Sequence, residues 1–129
     1  QQDPNYPDAL FLEKRTNIYN LPLYKEGYFE IQDASSQLVA PFLQAKPGMT
    51  VIDACAGAGG KTLHLASLVK NKGQLIAMDI EEYKLKELSI RAKRAGINSL
   101  KTILLKENSN ILALAATADR LLLDVPCSG

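Results

Sequence analysis

Apolar positions follow two rhythms along most of this chain. Short apolar runs at residues 50–54, 74–78, 100–105 and 120–124 read as buried strands. Between them the apolar residues recur at helical spacing. Residues 61–70 present Leu65, Leu68 and Val69, and residues 81–95 present Leu85, Leu88, Ala92 and Ala95 on one face. Gly73 is expected to stop the first of these helices, Gly96 suits the cap of the second, and residues 111–116 form a shorter one. Strands alternating with helices of this length require right-handed parallel crossovers, which predicts a three-layer, mostly parallel α/β sheet. Upstream, Asp33 is a plausible N-cap for a helix carrying Leu38, Val39, Phe42 and Leu43, which Pro41 is expected to kink or shorten. Residues 1–30 hold all but one of the tyrosines and no helical periodicity, and read as an irregular or short-stranded approach to a domain at residues 31–129. The last predicted strand lies almost at the end of the sequence, so this domain is expected to be incomplete. The alternative is a compact four-stranded domain whose N-terminal segment covers the free edge. An uncovered fourth strand would favour self-association.

Composition changes this picture little. With 129 residues, 47% of them hydrophobic and 22% charged, the chain is an ordinary globular domain, and a net charge of +1 selects no partner. No apolar run is long enough to cross a membrane and no signal-peptide pattern opens the chain, so a cytoplasmic setting is expected. The two cysteines, Cys55 and Cys127, stand far apart without metal-ligand spacing.

Chemistry enters at the first strand–helix junction, Asp53-Ala54-Cys55-Ala56-Gly57-Ala58-Gly59-Gly60-Lys61-Thr62. Small residues there let backbone amides approach a ligand at the positive end of the following helix. A phosphate-binding Gly-x-x-x-x-Gly-Lys-Thr loop fits at Gly60-Lys61-Thr62 but has Cys55 where its opening glycine belongs. A dinucleotide Gly-x-Gly-x-x-Gly pattern fails because Thr62 takes the third glycine position. A tight turn packed for strand–helix closeness is the remaining alternative. The second strand runs into Asp79, beside the loop, where a carboxylate can accept both hydroxyls of a ribose. S-adenosylmethionine, which has a ribose and an amino-acid end but no phosphate, becomes the favoured ligand. An N-cap role for Asp79 can coexist with this one.

Four segments stand in a telling order: Phe29-Glu30-Ile31-Gln32-Asp33-Ala34-Ser35-Ser36-Gln37-Leu38, then the Gly-Gly-Lys-Thr loop, then Asp79, then Asp124-Val125-Pro126-Cys127-Ser128-Gly129. In this the chain resembles the Nol1/Nop2/Sun family of RNA cytosine-C5 methyltransferases, over residues 29–129. The resemblance implies a Rossmann-like S-adenosylmethionine-dependent methyltransferase fold and a ribosomal or transfer RNA substrate. It implies that Cys55, Ala56, Gly57, Ala58, Gly59, Gly60 and Lys61 wrap the methionine part of the cofactor, that Asp79 binds its ribose, and that Asp124 lies near cofactor and base. Two departures are visible. The family usually has Ala-Pro where this loop has Gly57-Ala58, and residues 106–109 lack the aspartate with which many members contact adenine.

Cytosine carbon 5 becomes nucleophilic only after a thiolate adds at carbon 6, and its proton must leave before the thiolate is eliminated. From the residues alone Cys127, after Pro126, is the obvious nucleophile. In the family that cysteine instead helps release methylated RNA, and a later cysteine attacks. The resemblance therefore assigns Cys127 to release, with Asp124 orienting base or proton acceptor, and this chain alone is expected to be inactive. A noncatalytic module binding cofactor or RNA is the competing reading. The basic helix at residues 81–95 and residues such as Tyr24, Lys25 and Tyr28 are weak candidates for RNA contact, and His64 reads as packing or capping.

Overall fold

The computed structural model describes residues 3–109 and 111–126. Strands β1 (Thr50–Asp53), β2 (Gln74–Asp79), β3 (Leu100–Leu104) and β4 (Arg120–Leu122) form one sheet, all pairs parallel, in the order β3-β2-β1-β4. Helices α1 (Pro22–Lys25), α2 (Val39–Leu43), α3 (Gly60–Val69) and α4 (Glu82–Arg94) complete the regular structure with three short 3-10 turns. The strand order reverses between β1 and β4, and the crevice at the carboxyl ends of these neighbours is where open α/β sheets bind ligands.

Alternation along the strands decides the layers. Val51, Leu75 and Leu122 face Leu65, Ala66 and Val69 of α3 and Ala40 of α2. Ala77 faces Leu63 of α3 and Leu85, Leu88 and Ala92 of α4. The opposite face carries Ile52, Ile76 and Met78, with Ile103 of β3 beside Met78; Leu105 and Leu114, the latter from the 3-10 turn Ile111–Leu114, also pack against it. The predicted short helix at 111–116 is this turn.

Three expectations are corrected by local physics. Helix α3 stops before Gly73, with Lys70 in the left-handed region at φ 52°. Gly73 is required for another reason: a Cβ there would lie 2.3 Å from the Met49 carbonyl oxygen. Asp33 does cap, its Oδ2 accepting from the amides of Ser35 (3.0 Å) and Ser36 (3.2 Å), but it opens the 3-10 turn Ser36–Leu38 that leads into α2. Pro41 falls in the first turn of that five-residue helix, where no amide donor is needed, so α2 is short and unkinked there. The N-terminal segment forms the 3-10 turn Ile18–Asn20 and α1, with a single isolated bridge, Asp3–Tyr6, among its described residues. Strand β4 ends at Leu122, two residues before Asp124, and Leu121 and Leu123 are exposed on its outer side. Among the described residues no helix is long and apolar enough to cross a membrane.

Candidate functional site

At the switch between β1 and β4 an open cleft of about 260 Å³ is lined by Asp53, residues 55–61, Asp124, Gln32 and Ser36. Each comes from a defined place: Asp53 ends β1, the small residues join β1 to α3, and Asp124 follows β4. Gln32 and Ser36 belong to the turn that Asp33 caps. The loop residues and Asp124 were expected together and are found together. Cys127 lies outside the described residues.

Asp79 stands just behind the cleft. Its Oδ2 accepts from the Gly57 amide at 2.8 Å and its Oδ1 from the Glu81 amide at 2.9 Å, so it braces the loop and the turn that leads into α4 at once. Each carboxylate oxygen keeps lone-pair capacity for one further donor. The 106–109 turn adjoins it: Leu105 donates to the Asp79 carbonyl at 2.8 Å, and Lys106 and Ser109 close the turn on each other.

The loop supplies fewer free amides than its composition promised. Ala56 donates to the Met78 carbonyl (2.9 Å), Gly57 to Asp79, and Gly59 to the Ala56 carbonyl (3.0 Å). The donors that remain for a ligand are the Ala58 amide and the first amides of α3, which have no partner inside the helix.

Asp53 is the functional candidate that reading the sequence missed. It is 1% exposed, its Oδ2 accepts from the Thr62 hydroxyl at 2.7 Å, and among the described residues its Oδ1 has no well-formed hydrogen bond, the Cys55 amide being the other backbone donor near the carboxylate; the residue lines the cleft. The signal was a carboxylate ending a strand otherwise buried throughout, nine residues before a threonine able to serve it. Burial raises its pKa above the ordinary value, against the lowering effect of Thr62. The folded state therefore holds the proton more tightly than the unfolded chain. Stability falls as pH rises from the usual carboxylate range through the raised value. Asp53→Asn is expected to raise unfolding free energy by about 1 kcal/mol at neutral pH and to remove this slope, measured by urea denaturation across pH.

Cys55 sits in the same acidic setting. Burial first, then Asp79, Asp53 and Asp124, push its thiol pKa up, which disfavours the thiolate form. Among the described residues the one cation on the cleft is Lys61, whose Nζ lies 2.6 Å from Asp124 Oδ2. Two carboxylates on the cleft and a third behind it outnumber that lysine.

The surface candidates fare differently. On α4, Arg91 and Arg94 both pair with Glu30, while Lys84 pairs with Glu81 and Lys86 with Glu82. Glu82 and Lys86 pair one helical turn apart, whereas Arg91 leaves its own helix to reach Glu30. Tyr24 lies under the Arg94 guanidinium, 3.9 Å from ring centroid, and edge-on to Tyr19 and Phe29. Most of the supposed RNA-facing charge is thus internal pairing. His64 is half-buried away from the cleft, and burial lowers its pKa.

Comparison with known proteins agrees with this geometry. A family model described as 16S rRNA methyltransferase RsmB/F matches residues 40–129. The chain is 39% identical over 128 residues to a probable ribosomal RNA small subunit methyltransferase B of Synechocystis, covering 95% of this chain and 28% of that protein. It is 34% identical over 133 residues to a mouse 28S rRNA (cytosine-C(5))-methyltransferase, covering 98% and 28%. The crystal structure of NSun6 from Pyrococcus horikoshii with SFG superposes with a TM-score of 0.79 at 34% identity, over 88% of this chain and 29% of that one. The chain therefore spans under a third of the length of these relatives, and its fold is their Rossmann-like α/β fold.

Proposed function

The chain belongs to the 16S rRNA methyltransferase RsmB/F family, and on that premise we propose that it is the S-adenosylmethionine-binding part of an rRNA cytosine-C5 methyltransferase. The observation that carries this reading is the charge of the cleft. Asp53 and Asp124 line it, Asp79 stands behind its loop, and Lys61 is its one cation among the described residues. Such a site repels a nucleoside triphosphate and attracts S-adenosylmethionine, whose sulfonium and ammonium outweigh its carboxylate. The buried Asp53 Oδ1 needs a donor, and the ligand's ammonium group would supply one. The amides opening α3 suit its carboxylate, and the lone pairs left on Asp79 suit the ribose hydroxyls.

The bound cofactor supplies an electrophilic methyl group. This chain's residues orient it: Asp79 and Asp53 hold the two ends, and Lys61 and Asp124 stand where the target base would enter. Cys127 is assigned to releasing methylated RNA, and the attacking thiolate to a cysteine other than Cys55 and Cys127. The relatives' names support ribosomal RNA as substrate class.

Titration calorimetry with S-adenosylmethionine and with ATP tests the reading. S-adenosylmethionine is expected to bind, and ATP to give no saturable heat at tenfold higher concentration. Tight ATP binding without S-adenosylmethionine binding would sink it. A methyl-transfer assay on rRNA should stay at background for this chain, and robust turnover would overturn the role given to Cys127.

A further inference from the structure

Arg91 reaches from the last turn of α4 to the glycine-rich loop. Its Nη1 donates to the Ala58 carbonyl at 2.6 Å, while Nε and Nη2 donate to Glu30 Oε2 at 3.2 and 3.0 Å. The other oxygen of Glu30 takes Arg94, which stacks on Tyr24. The side chains of Arg91 and Glu30 are only 16% and 20% exposed, so these charge-assisted bonds form largely out of water. Glu30 stands two residues before Gln32, which lines the cleft.

We infer that Arg91 is a positioning residue of the cleft: it fixes the Ala58–Gly59 peptide of the ligand loop, and Glu30 holds the guanidinium in place. The inference rests on the S-adenosylmethionine reading for the identity of the ligand, but not for the clamp itself. Residues 56–60 are alanine and glycine only; the Ala56 methyl packs in the core and Asp79 takes the Gly57 amide, but residues 57–60 have no side chain long enough to anchor them, and glycine-rich backbone of this kind has many conformations of similar energy. One peptide plane carries the Ala58 carbonyl and the Gly59 amide. Arg91 holds the carbonyl on one side, and the Ala56 carbonyl takes the amide on the other at 3.0 Å. Without Arg91 the loop would sample other arrangements, and binding would bear the cost of ordering it. The loop lacks the Ala-Pro expected from the resemblance; its restraint is a side chain brought from 33 residues away.

Two readouts on the whole chain test this. In the unligated protein, Arg91→Met is expected to speed amide hydrogen exchange at Gly57 and Gly59 about tenfold, which corresponds to about 1.4 kcal/mol. Calorimetry should find S-adenosylmethionine affinity weakened about tenfold as well. Glu30→Gln should weaken it roughly threefold, and the double variant no further than Arg91→Met alone, because Glu30 acts through Arg91. Arg94→Met, which breaks the Glu30 and Tyr24 contacts without touching the loop, should lower Tm while leaving exchange and affinity within about twofold. Unchanged loop exchange in folded Arg91→Met, or equal effects from Arg94→Met, would overturn the inference. Should Arg91→Met not fold, Glu30→Gln decides: faster exchange at the two glycines supports the clamp, and unchanged exchange removes it. If the unaltered chain takes up no S-adenosylmethionine, the functional reading falls and the exchange comparison still judges the clamp.

Discussion

Replacing Asp79 with alanine is expected to weaken S-adenosylmethionine binding by about a hundredfold, from the loss of two charge-assisted hydrogen bonds to the ribose at about 1.5 kcal/mol each. The carboxylate has structural work too, since it accepts the amides of Gly57 and Glu81. Its removal therefore loosens the loop and the turn that leads into α4, at roughly 1 kcal/mol of stability for each hydrogen bond lost. Asp79→Asn separates the two effects. It keeps one acceptor oxygen but no charge, and should lose about tenfold in affinity with half the loss of stability. Calorimetry below the unfolding range, paired with thermal melts, makes the distinction. If both variants bind as tightly as the unaltered chain, the carboxylate is a brace alone and the ribose is held elsewhere.

Gly59→Ala should be the most destabilising single methyl that can be added to the loop. Gly59 has φ +92°, and a Cβ there would lie 2.1 Å from Leu88 Cδ1 and 3.1 Å from Leu88 Cβ. Leu88 is fully buried between α4 and the sheet, so it cannot swing away without displacing Leu63 or Leu85. Backbone strain and overpacking together are expected to cost about 2–4 kcal/mol, lowering Tm by roughly 10 °C. Combining it with Leu88→Val should recover part of the clash and none of the φ strain, giving a loss smaller than the sum of the single changes. Strict additivity would mean that the glycine is required for its backbone conformation alone. This contact also explains why the loop follows β1 so tightly: the close approach of α3 and α4 that shapes the cleft needs a residue without a side chain at this point.

Much of the fold was legible because its physics is local or periodic. The strands at 50, 74, 100 and 120 are continuous apolar runs, and their parallel order follows from the lengths between them. The helices at 61–70 and 81–95 were placed within a residue of Gly60–Val69 and Glu82–Arg94, since apolar spacing fixes a helix body and its ends blur by a residue or so. The N-terminal turns were not legible, because Tyr24 owes its place to Arg94, 70 residues along the chain, and in turn meets Phe29 edge-on.

The candidate site divides along the same line. By itself the sequence determined that small residues and a helix start would meet at the end of the first strand, with Asp79 beside them, because chain continuity and strand order leave little choice. Only the tertiary structure decided which groups are spent and which are free. Asp53, a residue of the cleft wall, keeps one buried oxygen without a well-formed hydrogen bond among the described residues because Thr62 reaches just one side of its carboxylate. Gly57, whose amide seemed available to a ligand, donates to Asp79. Arg91 and Arg94, which read as a basic surface for RNA, close on Glu30 from more than sixty residues away. Hydrogen bonds and ion pairs are satisfied by whatever the fold brings within about 3 Å, and that is a property of packing in three dimensions which no local pattern of residues encodes.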